Sequence, residues 1–374
     1  MFDCIIVGAG PAGGTAAYHL AKKGRSVLVI EKESFPRVKA CGGGLSPAIA
    51  QWFDFDLTPA ISLKVNKICY TWKLEDPVEA DLPVPMWMVK RDVFDHFLIQ
   101  KATEQGAELR DKTEVTGIEF KRDSWEVKTT TEPVIGRYLI AADGAQGPMA
   151  KWLGFKESKK RQSIVFEAPL NDSNQRASFE FGSVKNGNIW GFPKADSYSI
   201  SIATFRGGEA KNLSQDLMEY AQQIGANVSQ DELLEHYISL WDGEKNLHTQ
   251  NAILAGEAAS LSDPLSAEGI RPSIFSGVKG AEAIDEALGG NGDALKKYTQ
   301  IVNEEWGKDM AWAGRLAGAF YRFPKVAYKM GVKLPAATVV MSKILCGEIR
   351  YADIANTAIK LSLIHISEPT RQHW

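Results

Sequence analysis

The sequence lacks the features of a secreted, membrane-spanning or nucleic-acid-binding protein. Its four cysteines form no CxxC pair and are typical of a reducing compartment rather than of a disulfide framework. No apolar run reaches the ~18 residues of a spanning helix, and the formal net charge of -3 gives no reason to expect a nucleic-acid partner. No segment typical of a signal peptide precedes the first apolar run, so we expect a cytoplasmic protein.

Two classes of enzyme site are also absent from the sequence. The histidines show no spacing typical of a metal site, and there is no GxSxG nucleophile motif. We therefore expect neither a metal nor a hydrolase of that type. With 374 residues, the chain exceeds what one hydrophobic core usually serves, so two interleaved domains are expected.

The first thirty residues predict a strand, a glycine-rich turn, a helix and a second strand, as in dinucleotide-binding folds. Gly8 permits the tight turn, Gly10 lets the backbone approach a pyrophosphate at the helix N-terminus, and Gly13 lets helix and strand pack closely. Glu31 ends the second strand, where its carboxylate can accept hydrogen bonds from ribose hydroxyls and would repel a 2′-phosphate. This unit predicts FAD or NAD and disfavours NADP at the same site.

Three later segments are similar to the flavin fold shared by aromatic hydroxylases and geranylgeranyl reductases. They are KRDVFD at 90–95, after a Pro-rich connection at 82–86, then ADGA at 142–145, and GEAA at 256–259 followed by AEGI at 267–270. In that fold, the first segment contributes an arginine to the FAD site, the second lies near the cofactor, and the third wraps the ribityl and phosphates. The resemblance implies an FAD site formed by Gly8, Gly10, Pro11, Ala12, Gly13, Glu31, Lys32, Cys41, Gly42, Gly43, Arg91, Val115, Asp143, Gly144, Glu257, Gly269 and Ile270.

The most specific string of the chain is RVKACGGGL at 37–45. Three consecutive glycines are costly to order, and they suit a backbone that lies close to a flat ligand such as a flavin ring. The string resembles the K-x-C-G-G-G loop of geranylgeranyl reductases, which include archaeal membrane-lipid reductases and chlorophyll-pathway enzymes. This resemblance implies that Cys41 and Gly43 belong to the catalytic site, although an inert packed thiol is the alternative for Cys41.

A second string, IWGFPK at 189–194, resembles the Y-x-W-x-F-P-K strand of the same reductases. Trp190 and Phe192 are two residues apart, so both face one side of a sheet. There they can line an apolar tunnel for a polyisoprenoid. The resemblance implies that Trp190, Phe192 and Pro193 bind substrate and that Trp190 is also catalytic. Plain core packing is the alternative for the aromatic side chains.

The expected fold class is α/β, with three parts and a tail. An FAD-binding Rossmann-like domain of the glutathione-reductase type takes residues 1–50, 88–160 and 250–292. An interleaved antiparallel-sheet domain for the substrate takes 51–87 and 161–249, with short helices at 212–224 and 231–239, and a helical region takes 293–360. Residues 361–374 resemble translated sequencing-adapter read-through and are expected to be a non-native tail.

The resemblance implies an FAD-dependent reductase that saturates C=C bonds of a geranylgeranyl or related polyprenyl chain. NADPH or another donor is expected to reduce the flavin, and NADPH would dock only transiently, because no second GxGxxG motif is present. The alternatives are a flavin monooxygenase acting on an aromatic or polyene, which the two specific strings disfavour, and a non-catalytic prenyl-binding chaperone, which the complete phosphate turn disfavours. The basic, aromatic-rich region from 293 onward predicts peripheral contact with the cytoplasmic membrane face, although a solvated basic helical cap explains it equally well.

Overall fold

The computed structural model describes residues 1–169, 176–207 and 212–355, which form two eight-stranded sheets and nine α-helices. The predicted tail at 361–374 and the last residues of the predicted helical region lie outside these ranges. The strands are β1 Phe2–Val7, β2 Val27–Ile30, β3 Gly44–Leu45, β4 Leu63–Trp72, β5 Glu75–Met88, β6 Glu108–Arg110, β7 Val115–Lys121, β8 Ser124–Thr129, β9 Val134–Ala141, β10 Lys160–Pro169, β11 Ala177–Phe181, β12 Gly187–Pro193, β13 Ser197–Thr204, β14 Leu234–Ser239, β15 His248–Thr249 and β16 Ala252–Leu254. The helices are α1 Pro11–Lys22, α2 Arg91–Glu104, α3 Met149–Trp152, α4 Leu213–Gln223, α5 Ile270–Leu288, α6 Ala294–Val302, α7 Lys308–Phe320, α8 Pro324–Gly331 and α9 Pro335–Cys346.

The first sheet places the glycine-rich turn at the carboxyl ends of its parallel strands. Its main path runs β15-β16-β9-β1-β2-β6, with β1 parallel to both β2 and β9. Helix α1 follows the turn and packs against α5 and α2. Strand β2 is buried throughout, and β1 is buried over its last four residues, as their continuous apolar runs require. The predicted α/β class is confirmed.

The second sheet runs β14-β10-β13-β12-β11-β4-β5-β3. Its neighbouring strands are antiparallel except β4 and β11, which are parallel. Strand β3 pairs with the end of β5, where Gly44 lies opposite Met88. The glycine string at 42–44 is thereby attached to the second sheet, although it follows the nucleotide-binding unit in sequence.

The prediction of a short helix at 231–239 is wrong. Residues Leu234–Ser239 form the edge strand β14, antiparallel to β10, after a single 3-10 turn at Gln230–Glu232. Leu234 and Glu235 are exposed, whereas His236, Ile238 and Ser239 are buried, so burial shows no clean period of two. The pairing with β10 is what defines the strand. This strand bears on function, because β14 brings His236 to the wall of the large cavity between the two sheets.

The Pro-rich connection predicted at 82–86 is also wrong, because these residues belong to the long strand β5. Pro83 and Pro85 lie between two paired stretches of β5, where its register with β4 shifts. Over this length β5 pairs only with β4, and an edge strand tolerates proline because its outward groups need no partner. Helix α9 packs against β5.

The helical region predicted after residue 293 is confirmed as far as the described residues extend. Helices α6 and α7 are joined by a π-helical segment at Asn303–Gly307, and α8 and α9 follow. None of the helices in the described ranges combines the length and the hydropathy of a membrane-spanning segment. The predicted domain bounds stay a prediction; the second sheet draws its strands from 44–88, 160–204 and 234–239.

Candidate functional site

A cavity of about 750 Å³ lies between the carboxyl end of the first sheet and one face of the second. Every predicted cofactor-binding residue except Gly13 lines it. Trp190 and Phe192 also line it, whereas Pro193 is buried in β12 away from the cavity. The fold therefore brings the two reductase-like strings and the nucleotide-binding turn to one place, and the individual roles of these residues stay predictions.

The turn between β1 and α1 presents a helix N-terminus to this cavity. No side chain caps the first N–H groups of α1, so they can bind an anion. Gly8 has a φ of +100°, and a Cβ there would lie 2.3 Å from the Ala142 carbonyl oxygen. A Cβ on Gly13 would lie 1.9 Å from the Gly8 carbonyl oxygen. Gly13 thus allows close packing of α1 on the turn, which explains why it does not line the cavity.

Backbone groups orient the carboxylate of Glu31 beyond the end of β2. The Ala9 N–H donates to Oε2 at 2.9 Å, and the Glu33 N–H donates to Oε1 at 3.1 Å. Arg37 approaches the same carboxylate at 3.4 Å. Each carboxylate oxygen can still accept a further donor, so this arrangement suits the predicted contact with ribose hydroxyls.

Asp95, fully buried on α2, holds two arginines at the cavity wall. Arg91 donates to both carboxylate oxygens of Asp95 at 2.8 Å, and Arg37 lies 3.1 Å from the same carboxylate. Burial opposes the charge of Arg91, but Asp95 and the Cys41 sulfur outweigh burial and raise the pKa of the guanidinium. A fixed positive charge therefore lies beside Cys41. The sequence interpretation missed Asp95, although its spacing of four from Arg91 on a helix was a usable signal.

The Cys41 thiol is the half-buried one of the four, since Cys4, Cys69 and Cys346 are buried. The Gly43 N–H approaches its sulfur at 3.4 Å, and Arg91 is within hydrogen-bond contact of it. Only this cysteine lines the cavity. The catalytic role of Cys41 stays a prediction, with an inert packed thiol as its alternative.

Neighbouring protein atoms leave no room for a side chain at two positions of the glycine string. A Cβ on Gly42 would lie 2.4 Å from Trp190 Nε1. Gly43 has a φ of +71°, and a Cβ there would lie 2.1 Å from the Val89 carbonyl oxygen. The flat group against Gly42 is therefore the Trp190 indole, whereas the sequence interpretation placed only a ligand there. The cavity-lining aromatic strand and the glycine string fix each other's position.

Two side chains of the second sheet also bind the backbone of this string. Lys194, only 2% exposed, donates its ammonium to the Gly42 carbonyl oxygen. The Ser199 hydroxyl lies 3.4 Å from the Cys41 carbonyl oxygen and also contacts Glu167. Burial, opposed by Glu167 and Cys41, lowers the pKa of Lys194 to about 8. These contacts join residues far apart in the chain, and the sequence interpretation assigned them no role.

Replacing Lys194 by methionine is expected to change the pH dependence of stability. Between about pH 8 and the ordinary lysine pKa of 10.5, the unfolded chain keeps a proton that the folded protein has lost. The wild type should therefore gain roughly 3 kcal/mol relative to Lys194→Met as the pH rises through this window. Urea unfolding of both proteins at about pH 7 and about pH 10 measures the difference. An equal difference in the free energy of unfolding at both pH values would contradict this expectation. Lys151→Met, which replaces an exposed lysine, is the control.

A polar cluster of Lys39, His236 and Glu257 occupies another part of the wall. Lys39 Nζ lies 3.1 Å from His236 Nδ1, and His236 Nε2 lies 3.9 Å from Glu257 Oε1. Burial and the charges of Lys39 and Arg91 lower the pKa of His236 to about 3, so its imidazole is neutral near neutral pH. Burial raises the pKa of Glu257, while Lys39 and Arg91 oppose that rise. The sequence interpretation missed His236 because it placed the residue on a helix.

The residues present fit an FAD molecule. Asp143 accepts the Met149 N–H at 2.9 Å through Oδ2, while its buried Oδ1 has no hydrogen-bond partner among the described residues. Burial raises the pKa of Asp143 to about 6. Together with the uncapped helix N-terminus and the oriented Glu31, this unused acceptor matches a ligand with phosphates and hydroxyl donors. The residues that would hold it are those of the predicted FAD site that line the cavity.

Away from the Lys39, His236 and Glu257 cluster, the cavity wall is apolar. Phe192 packs edge-on against Phe179, with ring centroids 5.6 Å apart. Trp190, Met86 and Leu345 continue this lining. On the second sheet, the wall therefore changes from the polar side chain of His236 on β14 to aromatic side chains on β12 and β11. Such a surface suits a ligand that is polar at one end and hydrocarbon at the other.

A second cavity of about 380 Å³ lies beyond Gly144 and Glu257. Two of its lysines already have partners, since Lys245 contacts Asp242 at 2.7 Å and Lys160 approaches Glu157 at 3.9 Å. It contains neither the glycine string nor the aromatic strand. We therefore place the chemistry in the larger cavity.

Comparison with known proteins identifies the family of the chain. A family described as FAD dependent oxidoreductase matches residues 3–70, and one described as FAD binding domain matches 71–303. An uncharacterized protein of Methanosarcina barkeri is 32% identical over 293 residues, covering 77% of this chain and 75% of that protein. Digeranylgeranylglycerophospholipid reductase 1 of Methanothermobacter thermautotrophicus is 27% identical over 339 residues, covering 83% and 84%.

Solved structures share the fold. A geranylgeranyl bacteriochlorophyll reductase-like protein of Thermoplasma acidophilum has a TM-score of 0.77 at 21% identity, covering 92% of this chain and 91% of that one. A flavin-dependent brominase has a TM-score of 0.73 at 19% identity, covering 96% and 98%. The family matches extend over most of the chain and confirm FAD as the cofactor. The chain belongs to the geranylgeranyl reductase family of FAD-dependent oxidoreductases.

Proposed function

We propose that this enzyme saturates C=C bonds of a geranylgeranyl or related polyprenyl chain. The observation that carries the proposal is the contact between the Cys41–Gly43 backbone and the aromatic wall of Trp190 and Phe192 inside the FAD cavity. It puts an apolar surface for a hydrocarbon chain beside the predicted reaction site. The names of the curated relatives, which include several digeranylgeranylglycerophospholipid reductases at 25–27% identity, support the same substrate class.

The side chains around the cavity have distinct tasks in this proposal. Bound FAD supplies a two-electron carrier that can pass hydride to a carbon atom, and NADPH is the proposed transient reductant of that carrier. An isolated alkene is not polarised, so the aromatic wall must position it closely and exclude water. Saturation adds a hydride to one alkene carbon and a proton to the other. Cys41 lines the site where that proton has to be supplied.

A spectroscopic experiment tests the substrate class. The purified protein is reduced with dithionite without oxygen and mixed with geranylgeranyl diphosphate. Return of the oxidised-flavin absorbance, with a product heavier by two hydrogen atoms or a multiple of two, is the expected result. Bound flavin that stays reduced until oxygen enters would contradict the proposal for this substrate and favour a monooxygenase. Protein without bound flavin would favour a prenyl-binding chaperone.

Replacing Cys41 by alanine is expected to slow turnover roughly 100-fold while FAD stays bound, because a positioned proton donor commonly contributes that much. Flavin absorbance and single-turnover kinetics measure the two properties separately. Cys69→Ala, a buried cysteine on β4 outside the cavity, is the matched control. Unchanged turnover in Cys41→Ala would remove this residue from the mechanism.

We also propose that the protein associates peripherally with the cytoplasmic face of a membrane through its basic C-terminal region. Between residues 310 and 347 the sequence has six lysines and arginines and no aspartate or glutamate. Such a segment is attracted to anionic lipid headgroups. A polyprenyl substrate attached to lipid would be present at the same surface.

A further inference from the structure

Helix α8 exposes an unusual apolar face. Phe323, Val326 and Met330 are 63%, 55% and 64% exposed, and their spacing of three and four residues places them on one side of the helix. Leu334, at the start of α9, is 52% exposed. Half of the large apolar side chains that are exposed in the described part of the chain lie between residues 316 and 339.

The opposite side of α8 is anchored, so this exposure is built into the fold. Tyr328 is buried and donates its hydroxyl toward the carbonyl oxygens of Asp76 at 2.8 Å and Tyr70 at 3.1 Å. Val332, just after the helix, is fully buried. Turning α8 to hide its apolar face would expose these residues and break the tyrosine hydrogen bonds.

Positive charge surrounds the apolar face. Arg322, Lys325 and Lys329 are exposed, and none of them forms an ion pair with a carboxylate in the described ranges. Lys333 pairs with Asp76. A helix with exposed aromatic and aliphatic residues, flanked by unpaired cations, has the composition of a segment that lies in the interface plane of a membrane.

From this surface we infer that α8 and the start of α9 dock on an anionic lipid bilayer. A second copy of the chain would bring like charges together at the same face, whereas anionic headgroups neutralise them. With eight residues, α8 is too short to span a bilayer and can only lie along its surface.

The docking surface leads to the cavity. Helix α9 begins beside exposed Leu334 and ends near Leu345, which lines the cavity. Ser46, which follows the glycine string, donates its hydroxyl to the Cys346 carbonyl oxygen at 2.7 Å. A hydrocarbon chain leaving the bilayer along α9 would arrive at the apolar wall. Docking through α8 and the start of α9 rests on the proposed membrane association and locates it, and this last step rests also on the proposed prenyl reduction.

Vesicle co-sedimentation of the full-length, FAD-loaded protein tests the inference. One set of vesicles contains phosphatidylcholine alone, and the other contains equal parts of phosphatidylcholine and phosphatidylglycerol. The wild type should bind the anionic vesicles, and Val326→Ser/Met330→Ser should bind them at least roughly tenfold more weakly. Lys325→Gln/Lys329→Gln should also lose about tenfold on anionic vesicles, with little change on neutral ones.

The matched control replaces two apolar residues with comparable exposure elsewhere, Val93→Ser/Ile135→Ser, and should bind like the wild type. Absence of wild-type binding, or equal loss in control and docking variants, would overturn the inference. A wild-type dimer that the docking variants dissociate, without vesicle binding, would assign the surface to a second copy instead. Because the assay contains no prenyl substrate, its failure is distinguishable from failure of prenyl reduction.

Discussion

Replacing Gly43 by alanine is expected to lower the free energy of unfolding by about 2–4 kcal/mol and turnover by roughly 100-fold. The residue has a φ of +71°, and a Cβ would meet the Val89 carbonyl oxygen at 2.1 Å and Lys194 Nζ at 2.8 Å. The Val89 N–H also donates to the Gly43 carbonyl oxygen at 2.9 Å. The string must therefore move away from the second sheet, and Cys41 moves with it. Urea unfolding and single-turnover kinetics measure the two effects.

Gly24→Ala separates backbone strain from the steric clash. Gly24 follows α1 with a φ of +76°, and a Cβ there would meet nothing within 4 Å. This control should cost about 1 kcal/mol and leave turnover unchanged. A stability loss in Gly43→Ala no greater than that in Gly24→Ala would show that the string tolerates a side chain, and it would contradict the packing argument.

Replacing Asp95 by alanine is expected to destabilise the protein by about 3–5 kcal/mol and to weaken FAD binding. The carboxylate is fully buried and accepts hydrogen bonds from Arg91, while Arg37 pairs with it at 3.1 Å. Without it, Arg91 loses its carboxylate partner, and Arg37 keeps only its longer contact with Glu31 at 3.4 Å. Both largely buried guanidinium groups then lose the carboxylate that orients them at the cavity. Urea unfolding of the apoprotein and titration with FAD distinguish the two effects.

An exposed ion pair next to Arg91, between Lys90 and Asp196, is the comparison for the buried Asp95 network. Lys90 and Asp196 contact each other at 2.9 Å, but the Asp196 side chain is 65% exposed. Asp196→Ala should therefore change stability by no more than about 1 kcal/mol, because water screens exposed ion pairs. Similar losses in Asp95→Ala and Asp196→Ala would show that burial does not decide the strength of the Asp95 network.

The parts of the fold that sequence predicted well are local. The β1–turn–α1–β2 unit is encoded in about thirty consecutive residues, and its glycines have separate steric tasks that the sequence pattern indicates. Cys41, Trp190 and Phe192 were identified because short strings around them resemble a known family. Their common presence in one cavity then follows from the topology of the second sheet.

The parts that sequence did not predict depend on distant contacts. Lys194 binds the Gly42 carbonyl oxygen across 152 positions of the chain, and nothing near either residue indicates that contact. His236 was placed on a helix because a short segment with scattered apolar residues fits both periods. Its pairing with β10, which identifies the strand, is a tertiary interaction.

The contact between Gly42 and Trp190 has a consequence for divergence within this enzyme class. Because the indole occupies the space in which a side chain at position 42 would grow, a mutation at either position changes what the other tolerates. A smaller residue at 190 would remove the two closest contacts of an alanine at 42 and leave Phe192 Cδ2 at 3.1 Å, whereas alanine at 42 would be harmful while tryptophan remains. Lineages that remodel the hydrocarbon wall are therefore expected to acquire changes at the two positions in a fixed order, with position 190 first.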